Sequence, residues 1–277
     1  MATKIAWANE TWSPVIGCTK IAAGCKNCYA ERMATRLATM PLQSYYRHVV
    51  QNGKWNGDVY CLENRLSKPL HWRKPRKIFV CSMSDLFHEK VNIGFLTHVF
   101  DTIKACPQHI FQLLTKRPSR ALEMMWGPHG NGWRYFGEGD YHKNIHFGVS
   151  CSTQADLNRM AEDFFPIPAA VRFLSLEPLL EPIRLDGVFI KQRIGHSPGY
   201  FLDVRPGLHW CVIGCESGSG ARPCKDEWVI SIVNQCNEAI PRIPVFTKQL
   251  ARDGKAWKLT EKNRNEWPDW AVQEYPI

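Results

Sequence analysis

The stretch KIFVCSMSD, residues 77–85, shows the pattern that decides the fold: a short apolar, β-rich run that ends abruptly in polar residues. Five further runs have the same form. They are HIFQLLTKRP at 109–118, IHFGVSCST at 145–153, VRFLSLEPL at 171–179, HWCVIGCESG at 209–218 and IPVFTKQL at 243–250. Near-continuous apolar character is typical of parallel strands that are buried on both faces. The pattern therefore predicts six strands of a parallel sheet.

The segments between these runs are expected to form helices. Successive runs lie 26 to 40 residues apart, which is the length of a strand with a crossover helix. Amphipathic segments begin at Val91, Ser152 and Asp226, and the last two residues are the expected N-caps of their helices. A seventh strand is expected in KIAWAN near Lys4. The alternation predicts an α/β fold, a partial (β/α)6-7 TIM-like barrel with loop insertions.

No linker divides the chain, so we expect a single domain over residues 1–277. It has a basic and aromatic insertion at about 40–76 and a C-terminal tail at about 250–277. The Gly- and Trp-rich stretch that begins at Met124 and the stretch 186–208 also exceed ordinary βα loops. Long loops of this kind are typical of lids and substrate-binding insertions.

Polar residues follow the runs at the end where barrels of this type gather their reactive groups. They include Ser82, Ser84, Asp85, Lys116, Arg117, Ser150, Glu177, Glu216 and Lys248. Each of them singly is explained as well by the need of a buried strand to end in polar residues. Together they predict a site, because six strands would deliver polar side chains to one rim.

Three cysteines, Cys18, Cys25 and Cys28, lie in GCTKIAAGCKNC, residues 17–28, directly before a helical-looking stretch. Their spacing leaves three structures open: a 4Fe-4S cluster with one open iron, a zinc site completed by a distant ligand, or a disulfide. Several other cysteines lie in or beside apolar runs and are expected to be small core residues. These are Cys81, Cys151, Cys211 and Cys215.

The composition of the 277 residues, 44% of them hydrophobic, is typical of a globular protein. No run approaches the 18 apolar residues that span a bilayer, and the first residues lack the features of a secretory signal. We therefore expect a cytoplasmic protein with no membrane partner.

The net charge of +9 favours an anionic partner. Residues 47–77 hold eight Lys or Arg against two acidic residues, and aromatic residues lie among them or just upstream. Basic side chains bind phosphates and aromatic rings stack on bases, so this segment is a candidate nucleic-acid interface. The alternative is an inert, solvated basic face. The aromatic residues are Tyr45, Tyr46, Trp55, Tyr60 and Trp72.

A three-cysteine loop after the first strand of a partial barrel resembles the radical S-adenosylmethionine (SAM) superfamily. Blocks across the chain are similar to the three-Cys-motif family of phages and prophages. They are TWSPVIGCTKIAAGCKNCYAERMA at 11–34, FVCSMSDLFHE at 79–89, FQLLTKRP at 111–118, VRFLSLEPLL at 171–180 and VIGCESGSGARP at 212–223. Two features depart from the superfamily. Six residues instead of three separate the first two cysteines, and SMSD at 82–85 stands where a Gly-rich element binds the methionine amino group of SAM.

The resemblance implies a barrel of the radical SAM type in which Cys18, Cys25 and Cys28 hold a 4Fe-4S cluster. The fourth iron would chelate SAM, and an electron would cleave SAM to methionine and a 5′-deoxyadenosyl radical that takes a hydrogen atom from the substrate. A flavodoxin or ferredoxin would donate that electron.

Roles for the other residues are assigned by position. The candidate cofactor-binding residues are Ser82, Ser84 and Asp85 for the methionine ammonium of SAM, Lys116 or Arg117 for its carboxylate, and Ser150 for ribose or substrate. The candidate catalytic residues are Glu177 and Glu216, which would meet ribose hydroxyls or substrate, and Lys248, which would face a substrate phosphate or carboxylate.

The function implied by the resemblance is a radical SAM enzyme that acts on nucleic acid, with phage DNA in a host cytoplasm as the expected substrate. Its narrowest form is an isomerase that rearranges an amino-acid substituent on a modified thymidine during DNA hypermodification. The target base would have to be extruded or single-stranded. Two alternatives stay open. One is a radical SAM enzyme with a peptide or small-molecule substrate, and the other is a zinc-stabilised nucleic-acid-binding protein without catalysis.

Overall fold

The computed structural model describes residues 3, 5–126, 143–167, 169–190 and 200–276, and these form an α/β fold around a mostly parallel sheet. The strands of that sheet are β1 (Glu10–Trp12), β2 (Lys77–Val80), β3 (Ile110–Thr115), β4 (Ile145–Ser150), β5 (Val171–Leu176), β6 (Trp210–Gly214), β7 (Val245–Arg252) and β8 (Lys255–Lys258). The α-helices are α1 (Tyr29–Ala38), α2 (Ile93–Lys104), α3 (Pro118–Trp126), α4 (Gln154–Phe164) and α5 (Asp226–Asn237).

Shorter elements lie in the connections. Three antiparallel pairs join Val15–Ile16 with Tyr60–Cys61, Val50–Gln51 with Lys54–Trp55, and Val188–Ile190 with Tyr200–Leu202. The 3-10 helices are Ala23–Cys25, Pro41–His48, Glu63–Arg65, Lys68–His71, Arg205–Gly207 and Glu261–Glu266.

Hydrogen bonds join the strands of the sheet in chain order from β1 to β8. The pairs β1–β2, β2–β3, β5–β6 and β6–β7 are parallel, and β7–β8 is antiparallel. The order never reverses, whereas a doubly wound sheet has a point of reversal. This topology agrees with the coarse prediction of an α/β fold with a mostly parallel sheet that is not doubly wound.

The six predicted strands are all confirmed, as are the three predicted helices. The seventh strand lies later than expected. Residues 5–9 form turns, and the strand begins at Glu10, where pairing with Ile78 starts. Both predicted N-caps are wrong by one residue, since α4 is capped by Thr153 and α5 by the backbone of Lys225. Most of the stretch from Met124 and part of the stretch 186–208 lie outside the described residues.

The chain divides into two compact units. The first comprises Met1–Ile21, Cys28–Phe147 and Ile167–Ala170, and it contains β1–β3, the start of β4 and α1–α3. Its core includes Trp12, Ile78 and Phe111, all fully buried. The basic insertion belongs to this unit, where Tyr60–Cys61 pairs with Val15–Ile16 beside β1.

The second unit comprises Ala22–Asn27, Gly148–Pro166 and Val171–Ile277. Its core includes Phe173, Trp210 and Phe246, again fully buried.

The C-terminal tail of the second unit covers part of the edge of β7. The hairpin with β8 pairs only residues 249–252 of that strand. Farther back, the backbone N–H of Thr247 donates to the carbonyl of Val272, and that of Glu274 donates to the carbonyl of Val245, both at 2.8 Å. An exposed strand edge is a site of unwanted pairing, so the tail protects the part of β7 that β8 leaves open.

The buried His146 of β4 makes the stability of the protein depend on pH. It is 7% exposed, and burial, followed by the charge of Lys77, lowers its pKa to about 4. A histidine in the unfolded chain titrates near 6.5. Between these values the unfolded chain binds more protons, so stability is lost as the pH falls. We expect this residue to remove roughly 3 kcal/mol of unfolding free energy between pH ~6.5 and ~4.

Urea unfolding of a His146→Leu variant between pH 7 and 4.5 measures this effect, and its pH slope should be shallower than that of the parent. A His98→Gln variant is the control, because the side chain of His98 is 68% exposed. Equal slopes for the parent and the His146→Leu variant would contradict the assignment.

Candidate functional site

The three cysteines of the predicted metal site are all partly exposed residues. Cys18 follows Gly17, which has a φ of +88° and forms a parallel bridge with Ser84. Cys28 is the residue before α1, and both belong to the first unit. Cys25 ends the 3-10 helix Ala23–Cys25 in the second unit.

The chemistry of the cysteines separates this triplet from the others. Among the eight remaining cysteines, Cys61 is partly exposed and seven are buried. Burial raises the pKa of Cys81 and of Cys224 to about 12 and that of Cys215 to about 11, which makes them inert thiols. The expectation that Cys81, Cys151, Cys211 and Cys215 are core residues is thus confirmed.

Three thiols within eleven residues are a donor set that suits iron-sulfur clusters and zinc. Over the part of the chain that the structure describes, no three side chains of His, Cys, Asp or Glu form a group that could hold a metal ion. The triplet therefore suits a metal by the chemistry of its donors.

Asp85 is the centre of a buried network in the first unit. Its Oδ1 accepts hydrogen bonds from the hydroxyl of Thr115 at 2.7 Å and from the backbone N–H of Phe87 at 3.0 Å. Its Oδ2 accepts from the backbone N–H of Lys116 and from the guanidinium of Arg117, both at 3.1 Å. Both carboxylate oxygens of Asp85 are thus engaged within the protein. Its predicted contact with the ammonium of SAM stays a prediction.

Arg117 connects this network to the residue after Cys18. Its Nε donates to Glu89 at 2.9 Å and its Nη2 to the hydroxyl of Thr19 at 2.7 Å. Burial alone would lower the pKa of Arg117, but Asp85, Cys18 and Glu89 outweigh burial and raise it. A permanent positive charge therefore lies beside one of the three thiols. Such a charge favours the thiolate, which is the form of cysteine that binds a metal.

His88 holds the same hydroxyl of Thr19 from another direction. The backbone N–H of Lys90 donates to Nδ1 of His88 at 3.1 Å, so Nε2 carries the ring proton and donates to Thr19 at 3.0 Å. Burial, then the charge of Arg117, lowers the pKa of His88. Thr19 is therefore fixed by two donors next to Cys18.

The two predicted serines after β2 hold backbone groups of their own unit. The hydroxyl of Ser84 donates to the carbonyl of Val15 at 2.7 Å. The carbonyl of Ser82 accepts a hydrogen bond from the hydroxyl of Tyr29 at the start of α1. These contacts tie the turn after β2 to both sides of the cysteine segment, and the predicted roles of the serines toward SAM stay predictions.

A second polar group lies in the second unit and unites three predicted residues. Nζ of Lys248 is 2.9 Å from Oε1 of Glu177, and the hydroxyl of Ser150 donates to the backbone carbonyl of Glu177 at 3.3 Å. This ion pair engages Oε1 of Glu177, which has no other hydrogen-bond donor among the described residues. Gly214 leaves space for the Glu177 carboxylate, because a Cβ at position 214 would lie 2.5 Å from Oε1 of Glu177. The structure thus brings Ser150, Glu177 and Lys248 together, and their predicted roles toward ribose or substrate stay predictions.

Glu216 joins a different set of residues in the second unit. Its Oε2 accepts from the side-chain amide of Asn27 at 2.8 Å and from the backbone N–H of Arg222 at 2.9 Å. The guanidinium of Arg222 also pairs with this carboxylate and donates to the carbonyl of Ala23 at 2.9 Å. Burial raises the pKa of Glu216, but the bonds from Arg222 and Asn27 outweigh burial and lower it. Glu216 thus holds the segment that carries Cys25.

The aromatic residues of the basic insertion are mostly used inside the first unit. Tyr46 is buried in a cluster with Ile16 and Ala34, and Trp55 packs against the same cluster. Burial raises the pKa of Tyr46 to about 12. The guanidinium of Arg65 lies over the ring of Tyr45 at 4.8 Å. These three aromatic rings pack against residues of the insertion and its unit. Rings used in this way have little free surface for stacking on bases.

The remaining candidate for an anion-binding surface is the segment 64–77. No acidic residue occurs from 64 to 84, while Lys68, Arg73 and Lys74 are exposed. The Nζ atom of Lys68 and the guanidinium carbon of Arg76 each lie over the ring of Trp72, 5.3 Å from its centre. The segment combines concentrated positive charge with one half-buried ring, which suits phosphate contacts more than base stacking.

Several residues that build these groups were not singled out in the sequence. They are Thr19, His88, Glu89, Asn27 and Arg222. All five lie inside blocks that carry the family resemblance: Thr19 and Asn27 in 11–34, His88 and Glu89 in 79–89, and Arg222 in 212–223. The blocks mark these positions, but the contacts that the residues make depend on the fold.

Of the helices in the described residues, none is long and apolar enough to cross a membrane. A family model described as "Protein of unknown function (DUF5131)" matches residues 2–273. None of the curated proteins and none of the solved structures matches the chain.

Proposed function

The chain belongs to this DUF5131 family of unknown function, and we propose that it is a radical SAM enzyme whose cluster is held by Cys18, Cys25 and Cys28. The observation that carries the proposal is the contrast among the cysteines. Three partly exposed cysteines lie in one segment, whereas seven of the other eight cysteines are buried. A radical SAM barrel also accounts for the parallel sheet in chain order, with the cysteine segment following the first strand.

When bound, a 4Fe-4S cluster with one open iron supplies the electron that cleaves SAM to methionine and a 5′-deoxyadenosyl radical. The chain's own residues orient the reactants. Arg117 keeps a positive charge beside Cys18, and Asp85 fixes the guanidinium that provides it. Glu177 and Lys248 offer an acceptor and a donor to ribose hydroxyls or substrate.

We propose nucleic acid as the substrate class, with segment 64–77 contacting phosphates. The support is the absence of acidic residues from 64 to 84 and the exposure of Lys68, Arg73 and Lys74. The narrowest form of the proposal, isomerisation of an amino-acid-modified thymidine in phage DNA, follows from the resemblance to the phage family. A zinc-stabilised nucleic-acid-binding protein would use the same surface without chemistry.

Metal analysis of protein purified without oxygen tests the cofactor. We expect about four iron atoms per chain and a brown solution, as a 4Fe-4S cluster requires. Stoichiometric zinc in a colourless protein would support the binding-module alternative instead.

DNA binding at several salt concentrations tests the substrate class. Replacing Lys68, Arg73 and Lys74 by alanine should weaken binding and reduce the slope of log affinity against log salt by about 2 to 3, because each lost phosphate contact removes about 0.9. The control replaces Lys104, Lys255 and Lys262, which are also exposed. An unchanged slope in the first variant would exclude segment 64–77 as the phosphate surface.

A further inference from the structure

The segment Ala22–Asn27 has little local structure of its own, although it carries Cys25. Its 3-10 helix, Ala23–Cys25, is three residues long and has no side-chain cap. Two backbone bonds close the turn, from Cys25 N–H to Ala22 at 2.9 Å and from Lys26 N–H to Ala23 at 3.2 Å. Short 3-10 segments have poor hydrogen-bond geometry, so contacts from elsewhere must fix the position of Cys25.

Such contacts flank Cys25 on both sides within the second unit. Before it, Arg222 donates to the carbonyl of Ala23 at 2.9 Å. After it, the amide of Asn27 donates to Glu216 at 2.8 Å and to the carbonyl of Gly220 at 3.0 Å. The side chain of Glu216 is only 4% exposed and is itself paired with Arg222. One carboxylate thus connects both ends of the segment.

Gly24 provides a third contact. A Cβ at this position would lie 2.1 Å from the hydroxyl oxygen of Ser152 and 3.4 Å from Cδ of Pro178. Ser152 is fully buried, and a side chain at position 24 would collide with its hydroxyl. The segment is therefore seated directly against the residues that follow β4 and β5.

From these contacts we propose that Glu216 is a positioning residue for Cys25, acting through Asn27, Arg222 and the segment Ala22–Asn27. This differs from the role toward ribose or substrate that its place after β6 predicts. The inference holds for an iron-sulfur cluster and for zinc alike, because it concerns how one thiol ligand is presented.

Hydrogen exchange of the metal-free protein tests this role. In a Glu216→Ala variant the amides of Cys25 and Lys26 should exchange about tenfold faster or more, since bonds to a buried charge are lost. Amides of α5 should keep their rates. Glu216→Gln should show a smaller effect, because it keeps the shape of the side chain. Asp226→Asn is the matched control, since Asp226 pairs with Arg252 in the same unit.

Unchanged exchange at Cys25 and Lys26, or an equal acceleration throughout the second unit, would overturn the inference. Asn27→Ala tests the same contact if Glu216→Ala does not fold, and it should accelerate exchange of the same two amides.

Titration with Co²⁺ measures directly how well the thiols bind a metal. Absorption from thiolate-to-cobalt charge transfer should be weaker in Glu216→Ala than in the parent, because a poorly positioned Cys25 thiolate contributes less to the metal site, and a spectrum equal to that of the parent would count against the inference. The exchange experiment uses metal-free protein. Its result therefore stands even if the protein forms no iron cluster and does not cleave SAM.

Discussion

Replacing Cys18, Cys25 or Cys28 with alanine is expected to abolish cluster binding. Each variant lacks one of only three proposed thiolate ligands, and the open iron leaves no spare protein ligand to replace it. Iron content and visible absorption after anaerobic reconstitution measure the effect. We expect each variant to retain less than about a tenth of the iron of the parent, because metal affinity depends on the complete ligand set.

Cys61→Ala is the matched control for this series. Cys61 is also partly exposed, but it lies in the strand Tyr60–Cys61 outside the cysteine segment. It should bind iron as the parent does. A full-strength cluster in all three variants of the segment would contradict the ligand assignment, and loss of iron in Cys61→Ala would show that the effect is not specific.

Replacing Asp85 with alanine is expected to lower the free energy of unfolding by about 3–5 kcal/mol. The side chains of Asp85 and Arg117 are only 8% and 5% exposed, and removing Asp85 leaves the buried guanidinium with the 61% exposed Glu89 as its acidic partner. The same change also removes the carboxylate that accepts hydrogen bonds from the hydroxyl of Thr115 and the backbone N–H of Lys116. Urea unfolding at neutral pH measures the loss.

The exposed ion pair of Glu261 and Arg264 supplies the control. Its side chains are 74% and 66% exposed, so Glu261→Ala should cost about 0–1 kcal/mol. A loss for Asp85→Ala as small as that of the control would mean that the Asp85 network does not stabilise the first unit.

The central strands could be predicted from the sequence because a strand buried on both faces must be apolar almost throughout. The strands β4 and β6 are buried at every residue. The two edge strands of the sheet were harder to predict. In β1 only three residues pair with a neighbour, and β8 contains two lysines and one partly buried tryptophan, so neither shows a clear pattern. Helix caps depend on the φ and ψ of single residues, which explains errors of one position.

The site could be predicted only in part, for a different reason. Polar residues after strands are visible in the sequence, but their partners depend on the complete fold. Thr19 and Arg117 are separated by 98 positions, and Asn27 and Glu216 by 189. For the aromatic residues of the insertion, the composition was visible in the sequence but suggested a different role from the one that the structure shows. A basic and aromatic composition favoured base stacking, whereas Tyr46 and Trp55 have enough apolar neighbours to pack inside the unit.

The most direct test of the central claim is SAM cleavage by the reduced protein. The reconstituted protein is reduced with dithionite in the absence of oxygen, SAM is added, and 5′-deoxyadenosine is quantified, with Cys28→Ala in parallel. We expect 5′-deoxyadenosine from the parent and none above background from Cys28→Ala. Absence of the product from a parent protein that has its full complement of iron would contradict the assignment as a radical SAM enzyme.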